Sequence, residues 1–157
     1  MRKQRNNFRR RGITTMEFAM VLPFLIALVM GMVEFGTMFY SWMNIQKAAQ
    51  VATRFAATGV GEEEGTRMTQ TVQIAEDWME SLNKGSKEIM ITSWPTTSAT
   101  GDGTAGNAGG PCGLVQVAVI YNYHPFTPLV SAMLPEVVEL YGQDRKLNEP
   151  WKPCDDN

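Results

Sequence analysis

The dominant pattern in the chain is a long apolar stretch near its start. Residues 18–33 (FAMVLPFLIALVMGMV) contain no charged side chain, and the apolar character continues past Glu34 to Met43. As a helix, this charge-free run reaches only about 24 Å of the ~30 Å hydrocarbon core, whereas the longer span to Met43 is sufficient. In a soluble fold, a helix that is apolar on every side must be buried by other elements, and too few elements follow in this chain to bury it. The pattern therefore predicts a transmembrane helix over residues 13–43.

Helical spacing continues beyond the predicted span. It predicts that the same helix extends over residues 44–59 and stops at the glycines around Val60. A second amphipathic helix is expected to have Glu62–Glu64 near its start and to end near Lys84 and Gly85. The apolar positions of the first helix are Ile45, Ala48, Ala49, Ala52, Phe55 and Ala56, and those of the second are Val72, Ala75, Trp78, Met79 and Leu82.

Strand patterns appear only in the second half of the chain. Residues 88–94 (EIMITSW) read as a strand that Pro95 stops, and residues 96–113 read as a Gly-rich loop. Residues 114–123 (LVQVAVIYNY) form the clearest predicted strand, with Val115, Val117, Val119, Tyr121 and Tyr123 on one face. Residues 137–141 fit a strand or a helical turn, and the strand is preferred. Together the elements predict an α+β fold: a long N-terminal helix, a second amphipathic helix and a small antiparallel sheet.

Charge is segregated along the chain and indicates its orientation. The chain has 157 residues, with 14 basic and 16 acidic side chains, and residues 1–12 hold six of the basic ones and no acid. This basic arm predicts a cytoplasmic N-terminus, and Phe39, Tyr40 and Trp42 suit the opposite interface of the membrane. Residues 60–157 are then an extracytoplasmic head. Because this body is acidic and would be repelled by polyanions, nucleic acid is not an expected partner, whereas membrane lipid is.

Two acidic residues and a proline are unusual for a simple anchor. Glu17 lies at the head of the apolar run, where a carboxylate is costly, and Pro23 removes a helix hydrogen bond. Glu34 is expected at the far interface with a solvated carboxylate. A buried core helix and a conventional signal peptide are weaker alternatives, the latter because no small-x-small cleavage site follows the apolar run.

Catalytic chemistry finds little support in the sequence. The single histidine, His124, lies in a Pro-rich turn, and no nucleophile–base set or multi-ligand metal site can be assembled around it. The Gly-rich stretch 101–113 lacks the Lys-Ser/Thr pair and following helix of a phosphate-binding loop. We therefore expect a protein that is not an enzyme and has no catalytic residues, metal or cofactor.

The two cysteines are Cys112, before the long strand, and Cys154, near the end of the chain. An extracytoplasmic head permits a disulfide between them, which would stabilise the head by about 4 kcal/mol in the loop-entropy model. The alternative is a pair of unbonded thiols.

Residues around Gly12 resemble a known processing site. The run Gly12-Ile13-Thr14-Thr15-Met16-Glu17-Phe18, preceded by Arg9–Arg11, is similar to the prepilin peptidase site of type IV pilin precursors. The longer run over residues 12–59 resembles the TadE-like family of minor pilins or pseudopilins from tight-adherence systems. The matching features are Glu17-Phe18-Ala19, Leu22-Pro23, Glu34-Phe35-Gly36 and the Ala-rich stretch through Arg54 to Ala57. One departure is Ala52-Thr53-Arg54, where the family often has Gly-Ala-Arg.

This resemblance implies a maturation and an assembly role. Cleavage would follow Gly12, remove the leader 1–12 and make Ile13 the first residue, so that Glu17 becomes the fifth. Glu17, with Phe18 and Pro23, would then act in subunit assembly, where the new ammonium and the Glu17 carboxylate could pair between neighbouring subunits.

The resemblance also implies partners and a location. The partners would be a prepilin peptidase, other minor pilins, the major pilin and the inner-membrane assembly platform. The protein would assemble or prime a tight-adherence pilus in the bacterial inner membrane, or enter the extracellular pilus, and serve adhesion and biofilm formation. The alternative is an uncleaved signal-anchored envelope protein whose periplasmic head binds a partner or ligand.

Overall fold

The computed structural model describes residues 5–154, with side chains from residue 14 onward. Gly12, Ile13 and the basic side chains of the expected leader lie outside the described side chains. Two helices, a short helical turn and four strands follow one another, which confirms the predicted α+β fold. Their order is α1 Arg5–Ala57, α2 Arg67–Trp78, β1 Lys87–Trp94, β2 Thr104–Ala105, β3 Leu114–Tyr123, α3 Pro128–Ser131 and β4 Val138–Leu147.

The chain forms two compact units. The first contains α1 up to Thr37 together with Pro125–Glu136, and the second contains Met38–His124 together with the chain from Val137 onward. The helix α1 therefore contributes residues to both units.

From residue 14 onward, the helical part of the first unit is mostly apolar and exposed, with Glu34 as a buried exception. Large apolar side chains such as Phe24 (76% exposed) and Met32 (64% exposed) face outward. Among the described residues, Thr14–Ala57 is the helix long and apolar enough to cross a membrane. Pro23 lies inside α1, which continues through it.

The sheet of the second unit has the strand order β2-β1-β3-β4, with every neighbouring pair antiparallel. The central strand β3 pairs with β1, where Val119 lies opposite Ile89, and with β4, where Val119 lies opposite Gly142. The alternating residues of β3 are buried as predicted. The ambiguous segment at 137–141 is a strand, and this strand β4 runs on to Leu147.

Small residues place the C-terminal part of α1 in the core of this unit. Ala48, Ala49, Ala52 and Ala56 are fully buried in one cluster with the inward-facing valines of β3. The helix approaches β4 so closely that a Cβ added at Gly142 would lie 3.0 Å from the backbone of Ile45. Small side chains on both elements permit this packing.

The predicted bounds of the second helix were wrong. Glu62–Glu64 lie in a turn and not at the start of a helix, because Gly61 and Gly65 adopt positive φ and α2 begins only at Arg67. The helix ends at Trp78, whose side chain is 45% exposed and not part of the buried stripe. Met79 and Leu82 are buried from the turns that follow the helix.

Candidate functional site

Two of the motif residues lie on an accessible face of α1. Glu17 and Phe18 are both exposed, and Phe18 keeps 61% of its surface accessible. At 3.6 residues per turn, Glu17 lies about 120° around the helix from Pro23. The motif carboxylate and Pro23 therefore face different directions.

The face of α1 that contains Pro23 borders a groove. Leu129, at the start of the short helix α3, closes one side of this apolar groove of about 390 Å³. Each helix residue that lines the groove has another lining residue three or four positions away: Ala19, Leu22, Pro23, Ile26, Ala27 and Met30. This spacing defines one continuous stripe along the helix.

Glu34 lies on the same stripe, four residues after Met30, and is 1% exposed. Its carboxylate accepts hydrogen bonds from two consecutive backbone groups, the N–H of Phe126 at 3.2 Å and the N–H of Thr127 at 2.9 Å. The expectation of a solvated Glu34 was wrong, because these backbone donors hold the carboxylate inside the first unit. A buried carboxylate needs such donors, and the sequence pattern around Glu34 did not reveal them.

A second buried charge lies in the other unit and was missed by the sequence analysis. Arg67 is 2% exposed and is the first residue of α2. Its guanidinium donates to the carbonyl oxygens of Ala56 (2.7 Å), Gly109 (2.7 Å) and Ala108 (3.1 Å), and to a carboxylate oxygen of Glu62 (3.0 Å). A single side chain thus joins the end of α1, α2 and the Gly-rich loop.

An aromatic ring completes this arrangement. The guanidinium carbon of Arg67 lies 4.6 Å from the ring centroid of Trp151, within the range of a cation–π interaction. The same indole packs on Gly59, where φ is +73° and an added Cβ would fall 2.3 Å from the ring. Glycine is thus required at this position both for its backbone conformation and for the space it leaves.

The C-terminal segment is also joined to the Gly-rich loop. Cys112 and Cys154 form a disulfide with their Cα atoms 5.7 Å apart. Before it, the backbone N–H of Asn148 donates to Gly113 O at 2.8 Å, and the side-chain amide of Asn148 donates to Ala108 O and Gly110 O. The tail is therefore fixed by covalent and polar contacts together.

Two further polar side chains lie on the surface. His124 is exposed, and Glu63 pairs at 3.8 Å with Lys152 on the surface. Within the described part of the chain, no group of three metal-ligating side chains is brought together. In the core, burial raises the pKa of the Tyr121 phenol, and a hydrogen bond with the Lys84 backbone acts in the opposite direction.

Comparison with known proteins gives one finding. Residues 12–54 match a family model described as TadE-like protein, and this match confirms the resemblance carried by the motif residues. The match lies within α1 and covers 43 of 157 residues. No curated protein and no solved structure matches the chain.

Proposed function

Since residues 12–54 carry the sequence of the TadE-like family, we propose that this protein is a minor pilin or pseudopilin of a tight-adherence pilus. The chain is anchored in the bacterial inner membrane by α1, with its N-terminus in the cytoplasm and its head in the periplasm. After maturation it assembles with, or primes, the pilus. The observation that carries the proposal is the family match, which begins at Gly12 and includes Glu17.

Maturation in this proposal is cleavage by a prepilin peptidase between Gly12 and Ile13. The cut removes a leader that holds six basic side chains, which otherwise keep the N-terminus on the cytoplasmic side. It also leaves a new ammonium group four residues before Glu17.

Glu17 acts in assembly because it is an exposed carboxylate on an apolar helix. Inside lipid, a carboxylate is stabilised by pairing with an opposite charge, and the ammonium of a neighbouring subunit supplies one. Glu17 lies on a different face of α1 from the stripe that borders Leu129. The face that contains Glu17 is therefore open to other minor pilins and the major pilin.

The proposed role is that of a structural component of the pilus system and not of an enzyme. The buried charges that the structure describes, Glu34 and Arg67, are held by backbone groups of their own units. Both have structural partners, and the arrangement supports a folded head carried by an anchor.

Paired substitutions test this function against that of an uncleaved signal anchor. Gly12→Val is expected to accumulate as full-length precursor in the membrane, because a bulky residue keeps the scissile backbone away from the peptidase. Glu17→Ala is expected to be cleaved but to fail in pilus assembly. Intact mass of the membrane protein and a fibre or adhesion assay report the two steps.

Matched controls are available on the same helix. Gly31→Val introduces the same side chain at a glycine with no neighbour within 4 Å of an added Cβ, and Met16→Ala truncates an exposed residue beside Glu17. Both should be processed and functional. Normal pilus function from a Gly12→Val chain that retains its leader would contradict the proposal.

A further inference from the structure

The segment Pro125–Glu136 packs against the apolar part of α1. It belongs to the same compact unit as α1 up to Thr37. Two contacts place it along that helix: Thr127 at Glu34, and Leu129 in the groove bordered by residues 19–30 of α1. From Thr127 to Leu129, the chain therefore passes from the level of Glu34 towards the middle of the apolar run.

This segment has the composition of a lipid-facing element. Residues 125–135 (PFTPLVSAMLP) contain no charged side chain, and the first charge is Glu136 at the end. Three of its large apolar side chains are exposed: Phe126 by 48%, Leu129 by 42% and Met133 by 80%. Such a concentration of exposed apolar surface in one short segment marks an interaction surface.

Protein groups supply several of its backbone hydrogen bonds. Ser131 N donates to Thr127 O at 2.9 Å, and Met133 N and Leu134 N donate to Val130 O at 3.0 and 2.9 Å. Phe126 N and Thr127 N donate to the Glu34 carboxylate, and the prolines at 125, 128 and 135 have no N–H to satisfy. Irregular backbone is tolerated at membrane depth only where protein groups supply its hydrogen bonds.

We propose that Pro125–Glu136 inserts into the same lipid leaflet as the outer part of α1 and forms a second membrane-contacting element of this protein. The proposal rests on the membrane assignment of α1 in the proposed function. Glu34 is the positioning residue, since it binds the two amides at the point where the segment meets the helix. Residues 60–124 and the chain from Val137 onward remain in the extracytoplasmic head.

Lipid is the favoured occupant because the segment's apolar surface continues that of α1. Leu129 borders a stripe whose residues belong to the charge-free run, and side chains on other faces of that run, such as Phe24, are exposed as well. Whatever covers Leu129 and the charge-free run of α1 must be apolar along the length of that run. The acyl chains of lipids have this property.

The test places an environment-sensitive fluorophore on the full-length protein in phosphatidylethanolamine–phosphatidylglycerol vesicles. Met133→Cys is labelled without reductant, so that the Cys112–Cys154 disulfide does not react. Phe24→Cys serves as the membrane control, and Val60→Cys, at a position 56% exposed in the second unit, serves as the aqueous control. Lipids with a doxyl quencher at a shallow or a deep acyl position are then added.

The expected result is that the Met133 label emits at shorter wavelength than the Val60 label and loses intensity with doxyl lipids, as the Phe24 label does. A label at Phe126→Cys should behave in the same way as that at Met133. If the Met133 label has the emission and quenching of the Val60 label while the Phe24 label is quenched, the inference is wrong. The assignment of α1 as a membrane anchor is then still supported. A blue-shifted but unquenched Met133 label indicates a protein covering and also overturns the inference. An unquenched Phe24 label contradicts the membrane anchor itself.

Discussion

The side chain of Glu34 and the backbone of Thr127 are hydrogen-bonded at 2.9 Å although 93 positions separate them in the chain. Together with the adjacent Phe126 amide, this contact joins the end of the apolar helix segment to a short loop that precedes α3. A carboxylate on the long apolar helix thereby finds its donors inside the protein.

Replacing Glu34 should release this loop. In Glu34→Leu, two backbone donors lose their acceptor, at about 1–3 kcal/mol for each buried donor left unsatisfied. We expect faster amide hydrogen exchange at Phe126 and Thr127 in the reconstituted protein. Glu34→Gln, which keeps one acceptor oxygen, should fall between this variant and the wild type.

The control for this experiment is Glu17→Gln, since Glu17 is an exposed carboxylate on the same helix. Amide hydrogen exchange at Phe126 and Thr127 in the Glu17→Gln variant should equal that of the wild type. Unchanged exchange in Glu34→Leu would show that the carboxylate does not hold the loop.

Removing Arg67 should destabilise the second unit. Arg67→Met leaves three carbonyl oxygens without a donor, at about 1–3 kcal/mol for each buried acceptor left unsatisfied. Its ion-pair partner Glu62 is 44% exposed and adds little to this loss. Arg67→Lys retains the charge but cannot reach all four acceptors, so an intermediate loss is expected. Thermal unfolding of the full chain in detergent, followed by tryptophan fluorescence, measures both.

Lys152→Ala is the matched control, because Lys152 forms an exposed pair with Glu63 at 3.8 Å. Such surface pairs contribute at most about 1 kcal/mol. Equal losses in Arg67→Met and Lys152→Ala would contradict the role assigned to Arg67.

The cysteine pair should be linked in protein recovered from the membrane. Peptide mapping without reduction is expected to find Cys112 joined to Cys154. Cys154→Ser should lower the free energy of unfolding by about 4 kcal/mol in the loop-entropy model. Alkylation of both thiols in denatured, non-reduced protein would show that the bond is absent in the cell.

Strong periodicity explains which parts of the fold could be predicted from the sequence. Strand β3 was predicted with its exact range, because apolar residues recur at every second position from Val115 to Tyr123 and all of these are buried. The long helix was predicted over residues 13–59, whereas α1 runs from Arg5 to Ala57, so its end was predicted more closely than its start.

Features that depend on distant contacts could not be predicted in the same way. Nothing near Glu34 in the sequence shows that amides at 126 and 127 approach it. The one-turn helix α3 and the two-residue strand β2 are too short to produce a periodic pattern. The position of Arg67 could have indicated its role. A cation at the first position of a helix is disfavoured by the helix dipole, so it needs partners elsewhere.

The orientation of the chain can be tested with reporter fusions at the C-terminus. The basic arm predicts that the head lies outside the cytoplasm, so an alkaline phosphatase fusion should be active and a green fluorescent protein fusion exported in the same way should be dark. Fluorescence without phosphatase activity would reverse the proposed topology.

The most direct test of the central claim is the intact mass and N-terminal sequence of the wild-type protein recovered from membranes of cells with an active prepilin peptidase. Removal of residues 1–12 from the 157-residue chain predicts a mature protein of 145 residues that begins at Ile13. A stable species that retains the residues before Ile13 in those cells would contradict the account and favour an uncleaved anchor.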